Sequence, residues 1–398
     1  MSRGGRAVTV GSTGVAAAVA ARAAYRALRR YPPAGEQTWT RTNHRHELVT
    51  LLEGPAVAVG AITAEMIGAA LEGRQGTAAA GRQGHSQIPQ SLERTVGSRS
   101  SLALVVTGGG ALGFGVLDDL AGSGKRRGLA GHLGALRQGE VTTGTVKLAG
   151  LAATGLAGGL LLGGKPSDVV LNTGLIAGGA NLLNLFDLRP GRAIKVAALS
   201  AGLIAAGGAV TGPDRSSGLA AVAAPLGAGL ALLPEDLGER AMLGDAGANA
   251  LGAMLGAAAA QALSRPARAG LLAGIVALTL ASEKVSFTKV IEATPALRRL
   301  DMLGRRPVPV GPAPADVAPV VIPAPGDSAA AGPGPASGPG PGTASGSAGT
   351  VVVPPLPGRR TGRHRRVESG GSRDRSITRF FDFSLKSSAL KTPAQQEP

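Results

Sequence analysis

Apolar residues in this chain come in long runs, not at the alternation of a half-buried strand or the roughly 3.6-residue spacing of a surface helix. A helix needs ~20 predominantly apolar residues to cross a bilayer core. Segments of that character lie near 7–26, 48–71, 100–117, 146–164, 168–186, 193–211, 217–233, 246–263 and 267–283. The pattern predicts an all-α, polytopic transmembrane helix bundle of about nine or ten spans. The first run is followed by further spans and is read as a retained helix, not a removed signal. Stretches such as "LAATGLAGGLLLGG" (151–164) and "ALGAMLGAAAA" (250–260) carry small residues that let helix backbones approach closely in lipid. No internal repeat emerges.

Beyond residue 305 the pattern stops. Three regions are expected: a transmembrane domain over 1–305, a Pro/Ala/Gly/Ser-rich disordered linker over 306–358, and a basic cytoplasmic tail over 359–398. In the tail, Arg359, Arg360, Arg363, Arg365 and Arg366 form a polybasic patch, and Phe380, Phe381 and Phe383 could dip into a lipid interface or a partner groove. An unstructured solubilising tail is the alternative.

Composition narrows the chemistry. The 398 residues contain no cysteine, which removes disulfides and thiolate metal sites and leaves oxygen or imidazole ligands for any metal. The net charge of +16 sits mainly in loops and tail, with aromatic residues at 2%, so it is read as topology signal and headgroup attraction; nucleic acid is not an expected partner. Arg26, Arg29, Arg30, Arg41 and Arg45 put the first loop on the cytoplasmic side. Counting spans then adds 118–145, 187–192, 234–245 and everything after 284 to that side, and predicts a plasma-membrane protein whose active face and C-terminal tail are cytoplasmic.

On that face fall Asp118 and Asp119 in "GFGVLDDLAGSGKRRGL", Asp187 in "NLLNLFDLRPGR" and Asp245 in "MLGDAGANALGAMLG". Charges at span ends are costly unless solvated or engaged, and singly each reads as a headgroup-level charge. Together, beside Lys125, Lys147, Asn181 and Asn184, they form a set suited to phosphate and a hard cation. Phosphoryl transfer needs such a set: cations spread charge from the transferring phosphorus, and a carboxylate orients or deprotonates the attacking oxygen.

These segments resemble the membrane-embedded polyprenyl-phosphate sugar-1-phosphate transferases, the superfamily of phospho-N-acetylmuramoyl-pentapeptide transferase and the polyprenyl-phosphate N-acetylglucosamine-1-phosphate transferases. The family's Asp-Asp pair looks like Asp118-Asp119, with Lys125 as its following lysine. Its Asn-x-x-Asn-Leu-x-Asp-Gly segment is similar to Asn181 through Asp187, and its Gly-Asp-x-Gly segment to Gly244-Asp245-Ala246-Gly247. The likeness spans about residues 7–300. It implies transfer of a sugar-1-phosphate from a UDP-amino sugar to polyprenyl phosphate, with release of UMP, in cell-envelope polysaccharide or peptidoglycan synthesis. It also implies Mg²⁺, with Mn²⁺ as the alternative. Carried over, Asp118, Asp119 and Asp187 would be catalytic, with Asp187 and Asp118 at the metal. Lys125, Asn181, Asn184, Asp245 and Lys147 would bind substrate. The loop "WTRTNHRHELVTLLEGP" (39–55) stands where the family has its first cytoplasmic substrate loop.

The sequence departs from that pattern twice. Leu188 follows Asp187, and Pro190 stands at the family's second acidic position; the late loop "SEKVSFTKVIEATPALRRLD" (282–301) lacks the family's histidines, with Glu283, Lys284, Ser286 and Lys289 as polar substitutes. His44, His46 and His132 lie in loops that could reach the site. The departures keep a second reading open, a noncatalytic relative that binds the lipid carrier or a cell-wall partner protein; a homodimer also stays open. A third reading, a solute transporter, calls for charge in mid-membrane. No phosphate loop, nucleophile elbow or His-Glu-x-x-His motif is present.

Overall fold

The computed structural model describes residues 3–79, 99–121, 134, 137–210 and 216–307. Backbone contacts divide the chain into 1–316 and 317–398. The second part lies outside the described residues, as do nearly all of the expected linker, the basic tail, Lys125, and the histidines 85, 132 and 364.

Helix α1 (Arg3–Arg30) leads into a short α2 (Glu36–Trp39) and an antiparallel hairpin, β1 (Thr40–Thr42) with β2 (Leu48–Thr50), in the register Thr40 opposite Thr50. The long helices follow: α3 (Glu53–Ala79), α4 (Arg99–Ala121), α5 (Thr143–Leu162), α6 (Pro166–Phe186), α7 (Arg192–Val210), α8 (Ser216–Leu237), α9 (Gly244–Ala262) and α10 (Arg265–Ser282). Two short helices, α11 (Phe287–Ala293) and α12 (Pro295–Met302), come last among the described residues.

The helical bundle is as expected; the count of nine or ten spans is not reached on length and apolarity. Among the described residues five helices qualify (α3 to α7), and six if α10 with α11, bent by 95°, counts as one span. Composition accounts for part of the difference. Helix α9, expected as a span, is enclosed by α3 to α8 and buried from Ala246 through Ala260. A helix walled in by protein needs small side chains more than strong hydropathy, and α9 is built mostly of Ala and Gly.

Close approach of α9 to α6 explains its glycines. A Cβ on Gly252 would run into the Gly179 carbonyl, and one on Gly256 into that of Leu175. Gly252→Ala is therefore expected to cost about 1–3 kcal/mol by overpacking, read as a lower thermal midpoint in detergent. The control is Gly274→Ala on α10, where the added methyl meets open space.

Alternate connections meet at one end of the bundle. Trp39 Nε1 donates to the Pro33 carbonyl at 2.7 Å, Met242 N donates to Thr50 O at 2.9 Å, and Arg41 Nη2 donates to the Asp119 carbonyl at 2.5 Å. These bonds tie the hairpin to the segment before α9 and to the end of α4. At the other end Arg268 joins Asp168 and the buried Asn172, with 2.8 Å to the Asn172 amide oxygen.

Candidate functional site

Four aspartates arrive at the hairpin end from three distant parts of the chain. Asp118 and Asp119 close α4, Asp187 follows the last turn of α6, and Asp245 opens α9. Lys147, one turn into α5 and buried, sets its ammonium 2.7 Å from Asp245 and 3.2 Å from Asp118. One lysine thus holds together two carboxylates that would otherwise repel at close range.

Asp119 has a different job from its neighbour. Its two oxygens accept the backbone N–H groups of Asp245 at 3.0 Å and Ala246 at 2.9 Å. A helix leaves its first N–H groups without intrahelical partners, and a carboxylate there gains both hydrogen bonds and favourable alignment with the helix dipole. Asp119 therefore caps α9 from another helix. Gly244 has φ +63°, and a Cβ there would press on Leu51 and on the Asp119 carboxylate, so the glycine of the Gly-Asp pair admits both the turn and the cap. Asp119→Ala should lower stability by ~1–2 kcal/mol, the scale of a lost helix cap, visible as a shift in the detergent unfolding midpoint.

Asp187 borders a cavity of about 180 Å³ together with Asn43, His44, Pro190, Asp236 and Glu239. Its carboxylate accepts from the Gly244 N–H. Burial raises its pKa well above the ordinary carboxylate value, and the charges of Asp236, Asp245 and Asp119 push the same way. His44 is lowered, by burial first, although Glu239 opposes the shift.

Asn181 and Asn184 lie half-buried on the last turns of α6. Asn184 shares the Asp187 side of the helix end, and its carbonyl accepts the Asp187 N–H at 3.1 Å. The expected substrate loop does reach the site: Thr42, Asn43, His44 and Val49 line the cavity, and Asn43 and Arg45 hold Glu239 at 3.0 and 2.9 Å.

Three acids at the site carry no motif and were missed by sequence reading. Glu53 opens α3 fully buried, and neither of its oxygens has a hydrogen-bond partner among the described residues. Asp236, near the end of α8, is buried with one oxygen unpartnered, while its neighbour Glu235 is bound by Arg22 and Arg240. Glu239 completes the group. The one available signal was "LLPEDLGER" (232–240), three acids within five residues at a span end.

Asp236 bears on the altered motif. Gly191, with φ +69°, donates its N–H to the Asp236 carboxylate, and Pro190 beside it lines the same cavity. An acid from α8 thus stands next to the place where Pro190 removes one from the loop after α6.

No set of three or more His, Asp or Glu side chains among the described residues is arranged as a metal cage. The donors fit a hard cation that draws most of its shell from water and phosphate: Asp187 and Asp236 line one cavity. Asp118, by contrast, already has the Lys147 ammonium at 3.2 Å.

Comparison with known proteins returns no matching family model and no matching curated relative.

Proposed function

We propose that the chain is a membrane sugar-1-phosphate transferase that moves a phosphosugar from a UDP-amino sugar to a polyprenyl phosphate, with its site on the cytoplasmic face of the plasma membrane. The observation that carries this reading is the meeting, from helices far apart in sequence, of Asp118 and Asp245 on Lys147 beside Asp187, which borders the cavity and accepts from the Gly244 N–H. Phosphate chemistry at a membrane surface gives such an assembly a use, because charge left at a span end is otherwise costly.

In the proposed reaction an oxygen of the lipid phosphate attacks the β-phosphorus of the UDP-sugar. The bond from that phosphorus to the bridging oxygen breaks, UMP departs with the electron pair, and a polyprenyl diphosphate sugar remains. Lys147 would hold Asp118 and Asp245 in place and offer positive charge to phosphate. Asp118 would take the last proton of the lipid phosphate. A divalent cation, when bound, would neutralise diphosphate charge, with Asp187 and Asp236 as its protein ligands. Asn184, beside Asp187 at the end of α6, would donate a hydrogen bond to sugar or phosphate, and Asn43 would hold Glu239 at the cavity wall.

A second reading is favoured by one observation. The Lys147 bridge satisfies Asp118 and Asp245 without any ligand, as a structural ion pair would. On that reading the chain binds the lipid carrier and does not turn it over. The test is purified protein with polyprenyl phosphate, Mg²⁺ and a panel of UDP-amino sugars. UMP release with at least one donor supports the transferase; carrier binding without UMP release from any donor selects the noncatalytic relative.

A further inference from the structure

The two short helices after α10 present a surface that the transfer reaction does not use. Helix α10 exposes Val276, Leu278 and Leu280, as a lipid-facing helix should. The chain then turns by 95° into α11, so α11 runs across the direction of the apolar α10. The level is set by the spans: Phe287 of α11 stacks on Phe186, the last residue of α6, at 5.0 Å between ring centroids. Arg192, the first residue of α7, grips the buried Asp301 of α12 at 2.7 Å, and Lys195 donates to the Asp301 carbonyl at 2.6 Å.

Pinned at the ends of two spans, α11 and α12 turn outward a face that is both apolar and cationic. Val290, Leu297 and Leu300 are each more than 40% exposed, and Leu303 is 67% exposed. Lys289, Arg298 and Arg299 are exposed among them and outnumber the one exposed acid of these two helices, Glu292, while Asp301 is turned inward. A helix with exposed leucines and arginines, lying where spans end, matches the chemistry of an acidic headgroup layer: the apolar residues enter the acyl boundary and the cations meet lipid phosphate.

We infer that α11 and α12 form an in-plane foot that binds anionic lipid, with Val290, Leu297 and Leu300 inserted in the leaflet and Lys289, Arg298 and Arg299 on its headgroups. The inference is independent of whether the aspartate site catalyses transfer.

Because the chain has no cysteine, single nitroxide labels can be placed in the full protein without background. Val290→Cys, Leu297→Cys and Leu300→Cys would each be labelled in nanodiscs of phosphatidylcholine alone or mixed with phosphatidylglycerol. Leu278→Cys on α10 reports that the bundle stays folded and inserted. In the mixed discs the three foot labels should be more accessible to oxygen than to a water-soluble nickel chelate. The ratio should fall in neutral discs and in the Arg298→Glu/Arg299→Glu background, while the Leu278→Cys label stays lipid-like throughout. Labels that remain chelate-accessible in both discs would overturn the proposal and leave the face to water or a protein partner. An oxygen preference equal in both discs and unmoved by charge reversal would also overturn it, since insertion would then need no anionic lipid.

Discussion

Asp187→Asn should reduce UMP release by on the order of 100- to 1,000-fold, the loss seen when one group that stabilises transition-state charge is removed, while leaving the fold intact or firmer. The two halves of this expectation have one cause. Asp187 is half-buried at the cavity wall, and its ionised form is opposed by desolvation and by Asp236, Asp245 and Asp119. Neutralising it removes repulsion from those acids, which favours stability. On the proposed mechanism the same change removes a charge that would hold the divalent cation. Residues selected for chemistry are often held at a cost to the fold, and relieving that cost is their signature. Turnover unchanged in Asp187→Asn would remove this carboxylate from the mechanism. A midpoint well below wild type would make it a structural acid.

Lys147→Met should be the most destabilising single change at the site, at about 3–5 kcal/mol, because it strips a buried ion pair of one member and leaves the others uncompensated. The ammonium lies within 3.2 Å of two carboxylates, and a thioether can neutralise neither. Asp245→Asn in the same background should recover part of the loss by removing one of the stranded charges. Unfolding midpoints of the two single variants and the double variant close a thermodynamic cycle, and the interaction energy between the positions should be clearly non-zero. Turnover should not return with stability, since the double variant lacks both the lysine and the acid. Additive effects in that cycle would mean that the contact contributes nothing to the fold. Recovery of UMP release along with stability would mean that Lys147 acts only as a brace.

The helical, membrane-type character of the chain was legible because long apolar runs need no tertiary information. The span count was less so. The run of small apolar residues reads as one more span in α9, but its Ala- and Gly-rich composition falls short on apolarity and answers to packing, as the Gly252 and Gly256 contacts demonstrate. At the site, short local patterns pointed to Asp118-Asp119, Asp187 and Asp245, and the structure does bring them together. Their division of labour was hidden. Nothing in an Asp-Asp pair tells which member faces the Lys147 ammonium and which caps a helix that begins 125 residues later, because capping across helices depends on how helix ends meet. Glu53 and Asp236 were invisible for a related reason: each looks like an ordinary charge at a helix end until packing buries it, Glu53 with neither oxygen partnered and Asp236 with one. The Pro190 departure reads as a loss in sequence and, in space, has an acid beside it.

Transfer of a phosphosugar and transfer of a sugar alone differ in which bond of the donor breaks. Supplying UDP-amino sugar labelled in the β-phosphorus, with polyprenyl phosphate and Mg²⁺, and counting label in the lipid extract separates transfer of a phosphosugar from transfer of a sugar alone. Label should appear in the lipid in step with UMP, and both should vanish in Asp187→Asn. Label that stays wholly in the aqueous phase, with the carrier bound and every donor tried, would contradict the account.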